Sequence, residues 1–66
     1  MSKKKYPHLF DHLRAYYTKV AELHSGIPNP ERFICRSTNS TYHTAFKLIQ
    51  SGKYTEEQII SEFPLT

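Results

Sequence analysis

Apolar residues recur every three or four positions through the first third of the chain. Leu9, Phe10, Leu13, Tyr16, Tyr17, Val20 and Leu23 mark one face of an amphipathic helix. Pro7 suits the first turn of that helix, where its missing N–H is no loss. The first helix is therefore predicted from Pro7 to about Leu23. Ser25-Gly26 should end it, with Gly26 free to take a left-handed backbone. Asn29-Pro30-Glu31 then reads as a second start: Asn as cap, Pro at the first helical position, and an acid against the positive end of the dipole. Phe33 and Ile34 give this second helix an apolar side, and the pattern stops near Arg36.

The stretch Ser37-Thr38-Asn39-Ser40-Thr41 has no apolar member, and Ala45, Phe46, Leu48 and Ile49 follow it at helical spacing. The pattern predicts a turn at Ser37 to Asn39, with Asn39 the residue that accepts positive φ, and a third helix capped by Ser40 or Thr41. Tyr42, Ala45, Phe46 and Ile49 share its apolar face, Lys47 suits its C-terminal half, and Gly52 closes it. Thr55-Glu56-Glu57-Gln58 matches a capping box for a fourth helix, in which Ile59, Ile60 and Phe63 are apolar and which Pro64 ends. No segment alternates with strand period. The expected fold class is all-α: a small four-helix domain with one long N-terminal helix. Residues 1–6 read as a flexible basic arm and residues 7–66 as a single helical domain.

Length changes the picture first. A chain of 66 residues buries only roughly 60% of the surface its unfolded form exposes. Its core is thin, and a deep catalytic pocket is not expected. One cysteine, Cys35, allows no internal disulfide and fits a reducing compartment. No apolar run is long enough to cross a membrane. The basic start Met1-Ser2-Lys3-Lys4-Lys5 leads into no signal-peptide core, so a cytoplasmic protein is expected.

Net charge is +3 and is unevenly spread. Residues 1–26 and 27–53 are basic, and residues 54–66 carry Glu56, Glu57 and Glu62 with no base. A basic body with one acidic end suggests two surfaces with different partners. The same net charge also suffices simply to keep a small domain soluble.

The segment Ile34 to Ile49 resembles the helix-turn-helix motif of many small repressors, resolvases and transposase DNA-binding domains. Cys35 takes the place of the small residue where the two helices cross. Asn39 stands at the turn position usually held by Gly, and Ile34, Ala45 and Leu48 act as apolar clamps. Thr38 and Ser40 stand where apolar residues are usual. The resemblance implies that the third helix reads double-stranded DNA with Ser40, Thr41, His43, Thr44 and Lys47. Arg32 and Arg36 would hold the phosphate backbone, and Lys3, Lys4 and Lys5 would lie along phosphates or enter the minor groove. It also implies a homodimer reading two half-sites, formed through apolar parts of the first or last helix such as Tyr17, Ile60 and Leu65. A small repressor, excision factor or accessory regulator of transcription would have this design.

Two other readings fit the same residues. The Ser/Thr/Asn cluster also suits an ordinary capping loop. The basic and tyrosine-rich surface also suits an inhibitor or adaptor docking on a larger protein, with Arg14, Tyr16, Tyr17 and Tyr54 as contacts, because Tyr and Arg are frequent interface anchors. Catalysis is not expected: Cys35 with His43 is the one nucleophile–base pair worth naming, and two glycines make no phosphate-cradling loop. His8 and His12 have the i, i+4 spacing of a zinc pair, but no closed ligand set accompanies them, so neither metal nor cofactor is expected.

Overall fold

The computed structural model describes residues 5–65. Three helices form: α1 (Pro7–Leu23), α2 (Pro30–Gln50) and α3 (Glu56–Ser61). The first starts as the pattern predicts, with Pro7 in its first turn. It closes without glycine: among the described residues only Gly52, just beyond α2, has a positive φ, of 81°. Asn29 caps α2 by accepting a hydrogen bond from the Arg32 N–H at 3.3 Å. The capping box of α3 is complete. Thr55 Oγ1 accepts from the Gln58 N–H, and Gln58 Oε1 accepts from the Thr55 N–H.

The turn at Ser37 to Asn39 does not exist. One helix runs unbroken from Pro30 to Gln50, so there are three helices and no helix-turn-helix crossing. No residue other than glycine among those described adopts positive φ, so Asn39 is an ordinary helical residue. Its side-chain amide donates back to the Cys35 carbonyl at 2.9 Å and lies 3.4 Å from the Cys35 sulfur. This i to i−4 bond lets a turn-forming residue sit inside a helix. The stronger cause lies one position earlier. Thr38 is 1% exposed and is a buried position of α2 together with Tyr42 and Ala45. The buried face therefore runs Ile34, Thr38, Tyr42, Ala45 and Ile49 at three- and four-residue steps. A threonine hides one of those steps from a reading based on hydrophobicity. Helix propensities differ by only a few tenths of a kcal/mol among ordinary residues, and burial of one face overrides them. Cys35 is exposed rather than buried at a crossing, and it lines the groove between α1 and α2 with Phe10, Arg14 and Thr38.

α1 and α2 pack antiparallel. Tyr6, at the start of α1, meets the far end of α2. Its N–H donates to Tyr42 Oη at 3.1 Å, its hydroxyl accepts from Gln50 Nε2 at 3.0 Å, and its ring stands 5.8 Å from Phe46. The packed body thus begins at Tyr6, one residue inside the expected arm. Tyr17, two-thirds along α1, meets the first half of α2 through the Phe33 ring and the Thr41 hydroxyl. Leu9 and Leu13 are wholly buried between these contacts, with Tyr42, Ala45 and Ile59 around them.

α3 closes the core with Ile59, and the chain then runs back along α1. The His12 Nε2–H donates to the Phe63 carbonyl at 2.6 Å, and Lys19 Nζ donates to the Leu65 carbonyl at 3.0 Å. The Phe63 ring packs edge-on against Tyr16. The result is flat, with extents of 37 × 29 × 15 Å. Because α3 is six residues long, its cap carries much of its stability. Thr55→Ala should cost about 1 kcal/mol and lower the melting temperature by roughly 4–8 °C, read by circular dichroism.

Candidate nucleic-acid interface

α2 turns its buried face to α1 and α3 and leaves the opposite face open. With about 100° per residue, Arg32, Arg36, His43 and Lys47 fall within about 60° of one another on that open face. All four are exposed, as are Asn39, Ser40 and Gln50 on the same side. From Arg32 to Lys47 the face is about 22 Å long at 1.5 Å per residue. Five of the residues expected to bind nucleic acid therefore share one surface: Arg32, Arg36, Ser40, His43 and Lys47. A straight helix aligns them, not a turn.

The face has an order. Arg32 and Arg36 sit toward one end and Lys47 toward the other, about 16 Å beyond Arg36 along the axis. Between them lie the uncharged or weakly basic groups Asn39, Ser40 and His43. The acid nearest in sequence, Glu31, projects about 100° away from Arg32. Cations at the ends and short hydrogen-bonding side chains in the middle match a groove with phosphates on its rims and base edges on its floor.

The other predicted residues divide. Thr44 is exposed but lies at the edge of this face, beside the hollow under α3. Thr41 is not on it: the side chain is half-buried and hydrogen-bonds Tyr17 at 2.8 Å. Lys5 is exposed next to Tyr6, at the Gln50 end of α2, and Lys3 and Lys4 lie outside the described residues. Tyr16 and Tyr17 are half-buried and spend their rings on each other and on Phe33 and Phe63. Of the tyrosine surface only Tyr54, 43% exposed, remains open, with Arg14 exposed on α1. Leu23, assigned to the buried face of the first helix, is 81% exposed.

Sequence reasoning missed Asn39 and Gln50 as members of the face. The helical period carried across Ser37 to Thr41 is the signal that would have placed them there. His12 spends its Nε2 on Phe63, so His8 and His12 do not form an open pair. Among the described residues no three His, Cys, Asp or Glu side chains gather as a metal site would require. No described helix is long and apolar enough to cross a membrane.

The fold thus defines a small all-α domain of two long antiparallel helices and one short one, with a basic outer face on the second. No protein-family model matches the chain, and no curated protein and no solved structure matches it either.

Proposed function

We propose that the protein is a small regulator that binds double-stranded DNA through the outer face of α2. The observation that supports this most is the alignment of Arg32, Arg36, His43 and Lys47 along one exposed helix face, with no acid among them. A continuous helix about 10–12 Å across matches a major groove about 12 Å wide. Arg32, Arg36 and Lys47 contact phosphates in this reading, and Asn39, Ser40 and His43 reach toward base edges. One such face contacts few base pairs, so two copies on adjacent half-sites are the natural active form.

The measurement is fluorescence anisotropy of a labelled duplex at several salt concentrations. Three neutralised phosphates give a log–log slope of about −2.7. A duplex that is not bound even at low salt would overturn the reading. An acidic protein partner would instead be retained by the immobilised chain after nuclease treatment, through the same basic face.

A further inference from the structure

α1 and α2 lie side by side as one layer, and α3 with the turn after it covers one broad side of that layer. A domain ordinarily closes its core between two full layers. On the opposite side of the hairpin no described element covers the long helices. An open groove of about 540 Å³ runs between them there. Phe10 of α1 and Ile34 of α2 form its apolar part, and both are half-buried. Cys35 lines it as an exposed thiol.

Arg14 lines the groove from α1 and Glu31 lines it from the first turn of α2. Both are exposed, and water satisfies them in the single chain. Their placement is the informative feature. One base and one acid stand on opposite helices of one groove, and no ion pair joins them among the described residues. A groove with one charge of each sign favours neither a nucleic acid nor a strongly acidic or basic protein. It is, however, complementary to itself. A two-fold axis that passes between the two side chains sets Arg14 of each copy opposite Glu31 of the other. Area is sufficient as well: the broad side extends over 37 × 29 Å, more than the roughly 800 Å² that each partner gives to a standard interface.

We propose that the protein forms a two-fold symmetric dimer through this side of the hairpin, making a bundle of four long helices. Phe10 and Ile34 of both copies meet in the middle, and their burial supplies most of the affinity. The two Arg14–Glu31 pairs fix register and orientation. Cys35 becomes covered. Tyr17, Ile60 and Leu65 take no part in the contact. Arg32, Arg36, His43 and Lys47 stay open, because they project about 60–120° around α2 from Cys35, with Asn39 at the border. The dimer forms without DNA, so it stands independently of the DNA reading.

The test is sedimentation equilibrium of the full chain without DNA, under a phosphine reductant that prevents a Cys35 disulfide. The mass should rise from 7.8 kDa to twice that value, with a dissociation constant in the micromolar range or below, as interfaces of this size give. Arg14→Glu and Glu31→Arg should each weaken the dimer at least about tenfold, by setting like charges opposite one another. Arg14→Glu combined with Glu31→Arg should return it to within about threefold of the native value. Both side chains are exposed, so helical circular dichroism should not change. Cys35 should react with iodoacetamide several-fold more slowly in the native dimer than in Arg14→Glu at the same concentration. The proposal is overturned if the mass stays that of one chain up to about 1 mM. It is equally overturned if either single reversal leaves the dimer unaltered, if the combined variant is no tighter than the single ones, or if Cys35 reacts equally fast in the native dimer and in Arg14→Glu.

Discussion

Asn39→Pro should lower stability by about 3 kcal/mol or more. Asn39 is the tenth residue of α2, near its middle and well before Gln50. Proline there removes the N–H that bonds the Cys35 carbonyl and drives its ring into that same carbonyl. It also pushes residue 38 out of the helical region, and Thr38 is among the most deeply buried side chains of the protein. A domain of this length has a total stability of roughly 3–10 kcal/mol, so much of the population should unfold. Guanidinium titration followed by helical circular dichroism measures the effect. The companion Asn39→Ala should instead gain about 0.5 kcal/mol, because alanine is the better helix former. A left-handed turn at this position would make alanine harmful as well, so the sign of the Asn39→Ala effect is what separates the two backbones. Wild-type stability in Asn39→Pro would mean that α2 is broken where it is described as continuous.

Reversing charge on the outer face of α2 should weaken DNA binding strongly without unfolding the protein. Arg36→Glu with Lys47→Glu leaves Arg32 as the one fixed positive charge among the three proposed phosphate contacts. Two lost contacts reduce the salt slope from about −2.7 to about −0.9. Affinity at moderate salt should fall by roughly a hundredfold, since each neutralised phosphate is worth close to a factor of ten there and the new acids add repulsion. Both side chains are exposed, so packing does not change. The cost to the fold is limited to the interaction of Lys47 with the negative end of α2, about 0.3–1 kcal/mol. Glu57→Lys on α3 serves as a charge control and should not weaken binding. A double variant that holds the duplex with unaltered affinity and salt slope would sink the role of this face.

The helix that matters for function was the part least legible in the sequence. Its beginning was plain, because Asn29, Pro30 and Glu31 act on backbone groups within one turn. Its end was plain for the same reason at Gly52. Its middle was misread because Ser37, Thr38, Asn39 and Ser40 favour local side-chain bonds to the backbone, as they do in turns. Inside this fold Asn39 makes such a bond without leaving the helix. The basic face was half legible. Arg32, Arg36, His43 and Lys47 were singled out by charge and chemistry, but their alignment needs the helix to continue through Asn39. Thr41 was assigned to the open side, although the same continuity turns it toward Tyr17.

By itself the sequence determined the all-α class, the span of α1, the caps of α2 and α3, and the residue types able to meet an acidic partner. Each depends on neighbours a few positions apart, where backbone geometry leaves little choice. The tertiary structure alone decided that two expected helices are one, that Cys35 is exposed, and that Tyr16 and Tyr17 are spent internally. Those outcomes depend on which face of α2 meets Leu9, Leu13 and Ile59, and burying that face outweighs the few tenths of a kcal/mol per residue by which local preference argued for a turn.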